Sequence, residues 1–195
     1  AVGRTFAFTI VAVVVETILG VIIALVLNKE TRGKNIIKTL FLLPMVATPV
    51  AVGMVWLLMY EPTIGVLNQL LTMMGLPAGL WLASPGQALG ALIIVDVWQW
   101  TPMITLIVLA GLAALPREPF EAAFVDGASL LQSIRLITLP LIQPTVVAAA
   151  ILRSIDAFKT YDIIYTMTQG GPGYATETLN IYSFVLGFQY FQMGK

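Results

Sequence analysis

Residues Glu121 to Pro140 read EAAFVDGASLLQSIRLITLP, a charged and glycine-containing stretch between two apolar segments long enough to cross a membrane. It follows Leu115-Pro116-Arg117-Glu118-Pro119, which ends the segment before it. Pro119 suits the start of a helix, where a missing N–H costs nothing, and Glu121 falls in the first turn, where a carboxylate suits the positive end of the helix dipole. Ala122 and Ala123 are small, so another surface can approach the backbone. Gly127 permits a reversal before a second short helix, Ala128 to Leu136, which leads through Pro140 into the membrane. A mere connector needs neither the small residues behind Glu121 nor so long a path. Residues 116–140 therefore read as a docking loop.

The rest of the chain explains why such a loop is needed. Its 195 residues are 58% hydrophobic and 10% charged, with a mean hydropathy of +0.92; soluble domains carry about 25% charge. A helix crossing about 30 Å of hydrocarbon needs about 20 apolar residues. Four stretches qualify: Thr5 to Leu27, Ile36 to Tyr60, Ala88 to Ala113 and Ile137 to Ile155. Pro44, Pro49 and Pro102 lie inside them and predict bent helices, because a membrane helix survives proline when its neighbours satisfy the freed carbonyls. The fold class is an all-α polytopic helix bundle forming a single transmembrane domain over residues 1–195. The chain opens on Ala1 without an initiator Met or a leader pattern, and is expected to be a piece of a longer one.

Composition also excludes much. Ten basic and ten acidic residues cancel and form no basic stripe, which sets nucleic acid aside. There is no Cys and no His, so the usual zinc sites, thiol and imidazole catalysis and disulfides are unavailable. Neither metal nor covalent enzymology is expected.

Lys29, Arg32, Lys34 and Lys38 cluster after the first span, whereas residues 61–87 hold no Lys or Arg. Since short cytoplasmic loops are enriched in basic residues, residues 28–35 and 114–136 are placed inside and 61–87 outside. Arg153 and Lys159 run against this bias. Residues 67–74 read as a short interfacial helix ended by Gly75 and Pro77, with Trp81 in the headgroup zone; the alternative for residues 61–87 is contact with an extracytoplasmic partner. Gly170-Gly171-Pro172-Gly173 requires a tight turn, and Thr178 to Phe191 reads as an outer-surface helix too short to span.

Glu16 and Asp96 fall within spans, where an ionised side chain costs about 2.5 to 3.5 kcal/mol and needs a partner or water. Asp96, Trp98, Gln99 and Trp100 form a candidate solute-pathway cluster, because sugars are held by aromatic faces and hydrogen-bonding side chains; interfacial Trp is the plainer reading. Arg153 and Asp156, three apart, are expected to pair with each other on one helical face.

The pattern Glu121-Ala122-Ala123, then Gly127, then Ile137-x-Leu139-Pro140 resembles the EAA loop of the membrane-spanning subunits of binding-protein-dependent ABC importers, with no position departing from it. Asn28 to Pro44, Trp81-Leu82, Asp96-Val97-Trp98, Ala110-Gly111-Leu112, Leu115-Pro116 and Thr168 to Thr178 look like the sugar-uptake branch, of the maltose and glycerol-3-phosphate type. The resemblance implies a type I importer permease of the bacterial inner membrane, with one further span at each end. Its loop would seat on a separate ATPase through Glu121, Ala122, Ala123, Asp126 and Gly127, with Ile137, Leu139 and Pro140 completing the motif. It also implies a second permease subunit, forming a heterodimer, and an extracytoplasmic solute-binding protein. No G-x-x-x-x-G-K-[ST] loop is present, so ATP and Mg would be held by the partner and no cofactor by this chain. The competing reading is a stand-alone channel or secondary transporter that uses Glu16 or Asp96 as an ion site; a membrane enzyme is the third and weakest.

Overall fold

The computed structural model describes residues 1–28, 34–192 and 194, with the side chains of Lys34 and Asn35 also outside the description. Lys29, Arg32 and the Lys34 side chain therefore lie outside the described residues. Among the described residues every regular element is helical. Helix α1 (Val2–Asn28), α5 (Pro85–Ala113) and α8 (Leu139–Phe158) pack together as the core of the bundle. α2 (Lys34–Val46) and α3 (Pro49–Met59) flank it.

α1 shows how the bundle is built. Phe6, Ile10, Val14, Ile18, Ile22 and Val26, spaced by four, form one ridge and are each about half exposed or more. Phe8, Ala12, Glu16, Gly20 and Ala24, also spaced by four, are buried. A soluble helix would bury the large apolar ridge; here lipid is as apolar as leucine, so close packing of small residues decides which face turns inward. At Gly20 a Cβ would stand 2.8 Å from Ile104 Cγ2 and 3.3 Å from the Thr105 backbone nitrogen, so glycine sets how closely α1 approaches α5.

The second expected span is two helices, not one bent helix. α2 and α3 meet at 95° across Ala47 and Thr48. The cause is local: the residue before a proline is pushed out of the helical region, and Thr48 before Pro49 is extended at φ −66°, ψ 138°. The Ala47 carbonyl freed by the break accepts a 3.1 Å hydrogen bond from Gln99 Nε2 of α5. Pro44 and Pro102, by contrast, sit inside continuous helices. Around Pro102 the Thr101 and Thr105 hydroxyls donate back to the carbonyls of Val97 and Thr101.

The outer segments follow the sequence reading in outline. α4 is Val66–Met73, with Gly75 at φ +75° beyond its end. Trp81 is half-buried within this segment: its ring lies 5.0 Å from Tyr60 and its Nε1 donates to Asn68 Oδ1 at 2.7 Å. The glycine-rich turn follows α9 (Asp162–Thr168). Thr176 Oγ1 closes it on the Gly171 carbonyl at 2.7 Å, and α10 (Leu179–Phe184) then runs into a wide turn over Val185–Gln189.

Gly20→Val is expected to lower stability by about 1–3 kcal/mol, the usual cost of overpacking a close contact, while lipid-facing Val26→Leu leaves it unchanged; thermal unfolding of the purified protein in detergent checks both.

Candidate functional site

Two features carry chemistry. The first is the docking loop. α6 (Glu118–Val125) starts at Arg117, has Pro119 in its first turn and places Glu118 and Glu121 at its positive end. It stops because Gly127 takes φ +73°: the Gly127 N–H donates to the Phe124 carbonyl at 3.1 Å and the Ala128 N–H to the Ala123 carbonyl at 2.9 Å, the paired bonds of a Schellman end. The next helix, α7 (Leu130–Ser133), opens with a capping box. The Ser129 hydroxyl accepts from the Gln132 N–H at 3.4 Å and Gln132 Oε1 accepts from the Ser129 N–H at 2.8 Å. α7 passes through a π turn, Ile134–Thr138, directly into α8, so Leu130–Phe158 is one rod of 29 residues. The wider turn accommodates Pro140, which has no N–H for the preceding turn.

The structure divides the motif in two. Glu121, Ala122, Asp126 and Gly127 are exposed on the loop and Ala123 is half-buried. Ile137, Leu139 and Pro140 lie at the root of α8 and do not share that surface. Sequence reasoning missed the apolar part: Phe124 and Val125 are 85% and 84% exposed, and Leu131 74%. Their signal was available as four large apolar residues, Leu130 included, in a segment assigned to water. Behind α6 lies a cleft of about 680 Å³ whose walls include Leu25, Asn28, Leu112, Phe120, Glu121 and Thr138. It places the end of α1, the end of α5 and the docking loop at the same end of the bundle.

The second feature is a buried charge cluster at the junction of α1, α5 and α8. Arg153, expected to pair with Asp156, turns inward and is 1% exposed. Its Nε donates to Glu16 Oε2 at 2.7 Å and its Nη2 to Glu16 Oε1 at 3.1 Å. The same Nη2 donates to Asp96 Oδ2. The guanidinium also sits 5.4 Å from the Trp100 ring centroid, in cation–π range. Asp156 pairs instead with Lys159, at 3.5 Å on the exposed side. The correction has a simple cause: two buried carboxylates need a cation far more than an exposed one does.

The pathway candidates separate as well. Asp96 and Gln99 are fully buried, the first on Arg153 and the second on the break between α2 and α3. Trp98 points the other way, 46% exposed and edge-on to Trp56 in an apolar hollow of about 380 Å³. Trp100 alone of the four faces a polar cleft, about 340 Å³ in volume, shared with Arg153, Asp156, Thr160, Tyr161 and Asp162. Among the described residues no group of three or more His, Cys, Asp or Glu could hold a metal ion.

Long apolar helices with exposed apolar faces, and charged side chains buried between them, define a polytopic membrane protein. The chain belongs to the family of binding-protein-dependent transport system inner membrane components, whose pattern matches residues 16–191. With three described helices long and apolar enough to cross a membrane, it is a multi-pass member of that family. It is 41% identical over 190 residues to the trehalose/maltose transport system permease protein MalF of Thermococcus litoralis, a match covering 97% of this chain and 63% of that protein. The trehalose transport system permease protein SugA of Mycobacterium tuberculosis is 36% identical over 170 residues, 87% of this chain and 54% of the other. The chain thus spans between about half and two thirds of the length of these relatives. Its fold matches the crystal structure of a bacterial alginate ABC transporter in complex with an alginate pentasaccharide-bound periplasmic protein, with a TM-score of 0.88 at 24% identity over 98% of this chain and 68% of that one.

Arg153→Met alone is expected to cost about 3–5 kcal/mol, because it strands two buried carboxyls, whereas the triple variant Arg153→Met, Glu16→Gln, Asp96→Asn recovers most of that loss. Melting temperatures of the three purified proteins give the comparison.

Proposed function

We propose that this chain is the membrane-spanning subunit of an ATP-binding-cassette importer that moves a small solute, a sugar or sugar derivative, inward across a bacterial inner membrane. The observation that carries the reading is the docking loop. A short helix ending in exposed Phe124 and Val125, held rigid by paired caps, has the form of a surface seated in a protein cleft. The occupant of that role is a separate ATPase, which holds ATP and Mg. Its nucleotide-driven motion passes through the loop to the helices and alternates access to the solute. An extracytoplasmic binding protein delivers the solute, and a related second permease subunit completes a heterodimeric pathway. The names of the relatives, trehalose/maltose and trehalose permeases, support the sugar class.

Within this chain the solute path runs by Trp100 and the polar cleft it shares with Arg153 and Tyr161, where an aromatic face and hydrogen-bonding groups stand together. The rival reading, an ion-coupled transporter using Glu16 or Asp96, would break a buried ion pair in each cycle, since both carboxylates engage Arg153.

The absence of cysteine from this sequence makes the test direct. With a single Cys at Ala123 in the full-length protein and another in the cleft of the ATPase, a disulfide is expected to form and to change in yield with ATP. No crosslink, with uptake persisting after deletion of the ATPase, would overturn the proposal.

A further inference from the structure

The segment between α3 and α5 carries a surface that the transport reading does not use. α5 is 29 residues long, about 43 Å at 1.5 Å per residue, and the docking loop follows its last turn. The segment before its first turn therefore lies at the opposite end of the bundle, beyond about 30 Å of hydrocarbon.

This segment is fastened to the bundle and not draped over it. Asn68, 5% exposed, makes four hydrogen bonds: its Nδ2 donates to the carbonyls of Pro62 and Gly79, each at 2.9 Å, and its Oδ1 accepts from the Gly79 N–H at 2.9 Å and from Trp81 Nε1 at 2.7 Å. Trp81 packs on Tyr60, whose hydroxyl donates to the Ala91 carbonyl of α5 at 3.0 Å. At the other end the Glu61 carboxylate accepts from the Ile64 N–H at 2.6 Å and from the Thr63 N–H and hydroxyl at 2.7 Å. Those bonds, Ile64 first, hold Glu61 below the usual carboxylate range, so it stays ionised as a cap. The polar side chains of α4 also turn to the segment's own backbone: the Thr72 hydroxyl donates to the Asn68 carbonyl and Gln69 Nε2 to the Ile64 carbonyl.

What remains outside is apolar. Ile64 is 74% exposed, Met73 81%, Met74 75%, and Leu70, Leu76 and Leu80 about half. No Asp, Glu, Lys or Arg occurs between Glu61 and Asp96. A soluble protein that docks and releases is recognised through a polar rim and complementary charge, and this surface offers only Glu61, at its edge. It follows α3, one half of the broken candidate span, where Met54, Val55 and Leu58 are also exposed.

We propose that the face formed by Ile64, Leu70, Met73, Met74 and Leu76 is an in-plane bilayer anchor, inserted among lipid acyl chains at the membrane interface and fixed to α3 and α5 through Asn68, Trp81 and Tyr60. Amphipathic segments of this kind bury their apolar face at the headgroup–acyl boundary, and flexible methionines suit a fluid neighbour. The inference needs only that the chain spans a membrane, and not what it transports.

The test uses the full-length protein in nanodiscs, alone and assembled with its partner subunits. A fluorophore on a single Cys at Met73 is exposed to lipids carrying a nitroxide on the upper acyl chain, and separately to iodide in the water. Quenching severalfold stronger from the lipid nitroxide in both preparations is the expected result. Quenching by iodide alone, or lipid quenching that vanishes in the assembled complex because a protein covers the face, overturns it. A Cys at Leu76 gives an independent reading should the Met73 variant fail to assemble. Asn68→Ala is expected to reduce the lipid quenching severalfold by releasing the staple; unchanged quenching would remove Asn68 from the anchor.

Discussion

A charge buried in a membrane protein must be paired, and that constraint organises this bundle. Glu16 and Asp96, 80 residues apart in sequence, come from two helices, and Arg153 from a third. One guanidinium joins all three, with two of its nitrogens on Glu16 and one of those shared with Asp96. Hydrophobic burial cannot hold these helices together in lipid, which competes on equal terms for apolar surface. The ion cluster fixes which faces meet, and the small residues around it fix how closely. Gln99, one turn beyond Asp96 on α5, ties the same helix to the break between α2 and α3. α5 thereby becomes the member to which the others are referred.

The same inversion governs the two ends of the bundle. At one end Phe124, Val125 and Leu131 stand exposed on the loop. At the other end Ile64, Met73 and Met74 stand exposed in the same way. Both surfaces are backed by dense polar networks, Ser129–Gln132 in one case and Asn68–Trp81 in the other. Each network satisfies the backbone locally and leaves the exterior free of unmet donors.

Much of this was legible in the sequence. Spans one and three were found to within a few residues, since length and hydropathy determine them. The docking helix and its reversal followed from Pro119, Glu121 and Gly127. What failed was pairing at a distance. Local spacing favoured Arg153 with Asp156, but desolvation inside the bundle outweighs a neighbour three residues away. The bond from Trp81 Nε1 to Asn68, thirteen residues earlier, likewise had no local signal. The cluster Asp96, Trp98, Gln99 and Trp100 could not lie on one face: at 100° per residue, Trp98 points away from the other three. Pro49 was read as a bend; its effect on Thr48 was strong enough to split the span.

The continuity of Leu130–Phe158 has a mechanical meaning. The second half of the docking loop is not attached to a spanning helix but is its first two turns. A rod of 29 residues is about 43 Å long, so tilting its loop end by about 5° sweeps the far end through roughly 4 Å if the rod stays stiff. Its weakest point is the wide turn at Ile134–Thr138, where the regular ladder is interrupted. The chain thus contains a lever whose compliance is concentrated near the handle, and Arg153 lies about six turns along it, where leverage on the other helices is large.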